Sequence, residues 1–154
     1  SRGLGDVYKR QPVIFILMGL TADAVTSLSG GYNYFTTEIF QYIKPLSIFD
    51  KFAALAPMAI LYGLLNGFYE EFCFLGLLTC VEDKYKWQAL AYSTLVRVSF
   101  HTYQGMLWAT VIGVVFGLMY YFFYKYKVKN LLPFFLIHAL ADIFGSGFIY
   151  LICA

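Results

Sequence analysis

Charge is scarce in this sequence. Asp, Glu, Lys and Arg make up 13% of its 154 residues, about half the share typical of a soluble domain. With 60% apolar and 21% aromatic residues the chain cannot clothe itself in polar groups, which excludes an ordinary soluble globule and leaves a polytopic membrane protein. Cysteine is also scarce. Cys73, Cys80 and Cys153 are odd in number and show no CxxC spacing, which excludes a disulfide framework and a cysteine-built metal site. Cys73, three residues from Glu70, reads as a small buried apolar residue rather than a nucleophile. There are two histidines and no HExxH. An excess of one charge sign is missing as well. The formal +2 is carried by residues 1–11, where Arg2, Lys9 and Arg10 face Asp6, and the remainder is balanced. Nothing in that balance points to nucleic acid. Residues 1–11 lack an initiator Met and a signal-peptide pattern. They read as a translated adapter remnant and are set aside, so the native N-terminus is expected to be missing.

What is present is a succession of apolar segments. The expected fold is all-α, a polytopic transmembrane helical bundle of four core spans plus a weaker N-terminal span. Residues 12–29 form the weak span, with Asp23 near its end before Gly30-Gly31. Phe35, Ile39, Tyr42 and Ile43 repeat at helical spacing beside Glu38, Gln41 and Lys44, which predicts an interfacial amphipathic helix ending at Pro45. The core spans are expected at residues 52–81, tilted or kinked at Pro57, then 87–103, 106–124 and 131–153. Trp87 is an interfacial anchor. Gln104-Gly105 allows a tight turn, and the small residues Gly113 and Gly117 allow close helix packing inside the bundle. The loops after the first and third core spans carry Lys84, Lys86, Lys125, Lys127 and Lys129. Alternation puts both on one face, which the positive-inside rule assigns to the cytoplasm.

Against this apolar background six polar residues stand out: the adjacent pair Glu70-Glu71, then Arg97 with His101 and His138 with Asp142, each at i,i+4 spacing. Charges at membrane depth cost several kcal/mol unless partnered. Counted at about 1.5 Å per residue from the lysine end of each expected span, all six lie about 12–21 Å deep, in one slab. Carboxylates and imidazoles gathered in a low-dielectric chamber are the equipment of general-base hydrolysis, in which a desolvated carboxylate draws a proton from water. An imidazole can hold that water and another can stabilise an oxyanion. Successive helical residues point about 100° apart, so Glu70 and Glu71 serve different tasks, one facing the chamber and the other meeting a cation on a neighbouring helix. A proton or ion path would use the same residues, but beyond His101 only Thr102 and Gln104 supply polarity toward the opposite face.

These residues resemble the motifs of the CPBP family of intramembrane proteases, also called the Abi family or CAAX prenyl endopeptidase-like proteins. Glu70-Glu71-Phe72-Cys73-Phe74-Leu75-Gly76 resembles the family's Glu-Glu-x-x-x-Arg-Gly motif except that Leu75 stands at the Arg. Residues Arg97 to Gly105 resemble its Arg-x-x-x-His-x-Tyr-Gln-Gly motif, and His138 with Asp142 its His-x-x-x-Asn/Asp. The resemblance makes residues 52–154 a protease-like domain, with 12–50 as an N-terminal span and interfacial helix. It implies an intramembrane endopeptidase of a bacterial cytoplasmic membrane, acting on a peptide or membrane-protein substrate, lipidated in some members. Glu70 would be the general base, with Glu71 beside it; His101 would position the water, and His138 with Asp142 would stabilise the oxyanion, Asp142 orienting His138. Arg97 is expected to supply the charge missing at Leu75, so that Arg97→Leu harms the protein far more than Leu75→Ala. Members are described as glutamic proteases, though many are still labelled metalloproteases. No metal is expected here, and a metal-dependent version would draw on Glu70, His101 and His138. The alternative within the same fold is a non-catalytic protein of bacteriocin self-immunity or scaffolding. Membrane lipid is the expected surrounding partner.

Overall fold

Five helices account for most of residues 4–29 and 56–144, which the computed structural model describes, with side chains from residue 9 onward. Helix α1 spans Leu4–Leu28, so residues 4–11, set aside on sequence grounds, continue the same helix through Pro12. Ile14, Met18 and Ala22 form its buried stripe at four-residue spacing. Helix α2 spans Pro57–Glu71 and is prolonged by a turn of π-helix, Phe72–Leu77, in which Leu78 N donates to Cys73 O at 3.0 Å. Pro57 does not kink a longer helix; it opens one. Ala56 before it is extended, and a first-turn position suits a residue that has no N–H to offer.

Helix α3, Lys86–Phe100, follows a 3₁₀ turn at Asp83–Tyr85, and α4 runs through Met106–Val128, four residues beyond the expected end of its span. Helix α5 is Leu132–Phe144. The turn between α3 and α4 passes through Gly105 at φ 88°, a left-handed backbone that glycine adopts without a Cβ clash.

The expectation of four core spans is not met. Among the described residues two helical stretches, Lys9–Leu28 and Met106–Val128, are long and apolar enough to cross a membrane. Helix α3 has 15 residues because the chain leaves helical geometry at His101, whereas about 20 are needed to span. Helix α2 is diluted by Asn66, Glu70 and Glu71, and α5 is a 13-residue apolar helix. The interfacial helix expected at 35–44, residues 52–55 and the remainder of the last span at 145–153 lie outside the described residues.

Close packing brings the polar residues together. A Cβ on Gly67 would stand 2.8 Å from Phe135 O and 2.9 Å from Ala139 N, so α2 and α5 touch backbone to backbone there. Gly113 does the same for α4 and α3, where a Cβ would meet Val98 N at 2.8 Å. Trp108, Phe134, Ile14, Leu75 and Ile137 fill the core between. Outward-facing Leu65, Phe68, Leu95 and Phe122 are exposed, giving an apolar exterior. The lysine loops share one end of the bundle: Lys125 Nζ lies 3.9 Å from Asp83 Oδ1, and Arg10 of α1 donates to Lys127 O.

Candidate active site

Helix α2 carries Asn66 and Glu70 one turn apart on one face, with Glu71 about 100° round. Glu71 is fully buried, and Glu70, Arg97 and His101 are 3–5% exposed, so each charge must find its partner inside the protein. All six polar residues named from the sequence converge here, but in two layers.

The inner layer is built on Glu71. Arg97 Nη1 donates to Oε1 and Nη2 to Oε2, both at 2.9 Å, in a bidentate pair, and the guanidinium carbon lies 4.8 Å from the Phe74 ring centre. His138 Nδ1 is 2.7 Å from the same Oε1. A carboxylate held by an arginine accepts, so His138 Nδ1 carries the hydrogen and Nε2 turns to the chamber. Asp142 is the residue expected to orient His138. Asp142 Oδ1 is 3.7 Å from His138 Nε2, in ion-pair range but too far to fix the ring, and the hydrogen bond comes from Glu71.

The outer layer is built on Glu70. His101 sits where α3 ends, and its Nδ1 lies 2.7 Å from Arg97 O. A carbonyl can only accept, so this ring too holds its Nδ1 hydrogen inward and presents Nε2. Glu70 Oε2 faces both imidazoles, 3.5 Å from His101 Nε2 and 3.8 Å from His138 Nε2. That oxygen is buried and has no hydrogen-bond partner among the described residues. A carboxylate oxygen and two ring nitrogens converging without a direct hydrogen bond form a receptor for a water molecule, which can donate to acceptors and accept from a protonated ring. The adjoining cavity of about 50 Å³, lined by Asn66, His101, Tyr103, Tyr120, His138 and Asp142 among others, has room for on the order of three or four waters.

Glu70, His101 and His138 are the residues on which a metal-dependent version of the site would draw; among the described residues no group of three or more His, Cys, Asp or Glu side chains has the geometry of a metal site. Cys73, expected to be buried, is partly exposed, and with Cys80 it is a free thiol.

Two further residues, Asn66 and Tyr120, belong to the site. Asn66 Nδ2 lies 3.1 Å from Glu70 Oε1 and 2.9 Å from Asp142 Oδ2. Its signal was there, a carboxamide one turn before Glu70 in an apolar helix. Tyr120, buried on α4, lines the chamber and donates to Met18 Sδ of α1 at 3.3 Å; nothing in its aromatic-rich surroundings marked it out. Leu75, at the motif's Arg position, is a core side chain, 2% exposed.

A family model described as type II CAAX prenyl endopeptidase Rce1-like matches residues 52–144, the stretch that holds all of these side chains except Met18. No curated protein and no solved structure gives a significant match.

Proposed function

Because the chain belongs to the Rce1-like family of type II CAAX prenyl endopeptidases, we propose that it is an intramembrane endopeptidase that hydrolyses a peptide bond with a water activated by Glu70. The family and the apolar helices make it a membrane protein, and a protease site within a membrane protein is the family's implication. The observation that carries the finer reading is Glu70 Oε2, buried without a hydrogen-bond partner among the described residues and facing two imidazole nitrogens at 3.5 and 3.8 Å.

In this mechanism a water bridging Glu70 Oε2 and His101 Nε2 from the cavity side gives one proton to Oε2 and holds its other hydrogen on Nε2. Its oxygen adds to the scissile carbonyl carbon. The electron pair displaced onto the carbonyl oxygen is met by His138 when that ring carries a proton on Nε2, a placement made rigid by the Nδ1 bond to Glu71. Collapse of the tetrahedral intermediate breaks the C–N bond, and the proton on Glu70 passes to the departing amine. Arg97 takes no part in proton transfer; it holds the charge of Glu71, which in turn holds His138. The substrate class is a peptide or membrane-protein segment, with a lipidated C-terminal peptide as the first to try.

The test is cleavage of farnesylated and unmodified peptides by the purified protein in detergent, wild type against Glu70→Gln, with and without a chelator. Chelator-resistant cleavage lost in the variant, by about 10²–10⁴-fold for a missing general base, supports the mechanism. Cleavage abolished by chelator and restored by zinc overturns it. A folded wild type that cleaves nothing points instead to a non-catalytic member of the fold.

A further inference from the structure

Asn66 is tied to two acids on two helices, Glu70 of its own helix and Asp142 of α5. Carboxylate oxygens accept, so the amide nitrogen must be the atom facing them, with one hydrogen for each: 3.1 Å to Glu70 Oε1 and 2.9 Å to Asp142 Oδ2. We infer that Asn66 is a positioning residue that determines which oxygen of Glu70 acts as the base, by tying down Oε1 and leaving Oε2 turned to the imidazoles. This deepens, and rests on, the reading of Glu70 as the base.

A glutamate carboxylate can rotate and exchange its two oxygens. Here Oε1 is engaged by Asn66 while Oε2 has no hydrogen-bond partner among the described residues, so the two are chemically distinct. The donor is itself held. Its second hydrogen is anchored on α5, whose backbone meets α2 at Gly67, the residue after Asn66, too closely to admit a Cβ. Rotating the amide would break the bond to Asp142 and turn its carbonyl oxygen toward carboxylates. On this geometry Asp142 acts through Asn66 on Glu70, and the reacting group waits in one orientation before substrate arrives.

The decisive comparison uses two variants in the peptide-cleavage assay, each with a thermal melt. Asn66→Leu keeps the volume and removes both donors. Asn66→Asp combined with Asp142→Asn exchanges donor and acceptor, so the bridge between α2 and α5 survives while Glu70 Oε1 loses its donor. Both are expected to lower kcat by about 10- to 100-fold at unchanged KM, as loss of an outer-layer partner does, with the exchanged pair still melting cooperatively although it sets a second carboxylate against Glu70. Wild-type kcat in the exchanged pair would show that the bridge alone matters and overturn the inference; wild-type kcat in Asn66→Leu would do the same. Either result beside an inactive Glu70→Gln sinks only the role of Asn66. A Glu70→Gln protein as active as wild type would remove the function and this inference together.

Discussion

Arg97 on α3 clasps both carboxylate oxygens of Glu71 on α2 at 2.9 Å, where the two side chains are 3% and 0% exposed. The motif's own arginine position, one turn after Glu71, is occupied by Leu75, so the balancing charge arrives from the facing helix. Removing one partner of such a buried pair strands the other charge and costs about 3–5 kcal/mol. Arg97→Leu is therefore expected to lower the denaturation midpoint in detergent markedly. Arg97→Lys should recover only part of the loss, because an ammonium cannot make the paired bonds. A lysine variant as stable as wild type would count against the bidentate geometry.

Leu75→Ala, expected to harm the protein far less than Arg97→Leu, carries a packing cost of its own. Leu75 is buried, and truncating a core leucine costs about 2–5 kcal/mol by cavity formation. The informative change is Leu75→Arg in an Arg97→Leu background, which returns the guanidinium to the motif position beside a small cavity lined by Thr79 and Ser93. Recovery of both stability and cleavage over Arg97→Leu alone is expected. No recovery would mean that the charge can reach Glu71 only from α3.

Glu71 and Asp142 should separate in kinetics. Glu71→Gln loses the arginine pair and loosens the 2.7 Å bond that holds the His138 ring, whereas Asp142→Asn keeps an oxygen to accept from Asn66. The first is expected to reduce kcat by about 10- to 100-fold or more, and the second by less. Measured kcat values in the reverse order would return the orientation of His138 to Asp142.

The glycines offer a purely structural contrast. Gly67→Ala places a methyl 2.8 Å from Phe135 O and should cost about 1–3 kcal/mol by forcing α2 from α5. Gly117→Ala meets Arg97 Cδ at 3.6 Å, ordinary contact, and should be close to neutral. Melts of the two variants decide it; equal destabilisation would contradict the helix crossing.

Orientation can be read by labelling. In a background with Cys73, Cys80 and Cys153 replaced, single cysteines at Lys84 and Lys127 should react with an impermeant reagent from one side of a sealed vesicle, since the two loops share an end of the bundle. A cysteine at Met106, beyond the Gly105 turn, should react from the other side. Cytoplasmic exposure of the lysine loops is the expected sense.

Much of the site was legible beforehand because helical periodicity is local. Spacing of three or four residues shows that Arg97 shares a face with His101, and 100° per residue shows that Glu70 and Glu71 must part. Burial was legible too, since six polar groups in apolar runs have no water to meet. Span lengths were less so. Apolar composition runs smoothly from 87 to 103, but the helix stops at His101, where the ring bonds back to Arg97 O and the chain turns toward Gly105. Composition cannot see a bond of that kind.

By itself, then, the sequence determined an all-helical membrane protein, its family, and the set of side chains that would have to meet, because hydropathy, turn glycines and motif spacing are properties of neighbouring residues. Only the tertiary structure decided who meets whom. Helix rotation and crossing gave His138 to Glu71, and Asn66 to Glu70 and Asp142 together. Those partnerships depend on the backbone approach of α2 and α5 at Gly67, between residues far apart in the chain, and no local period encodes them.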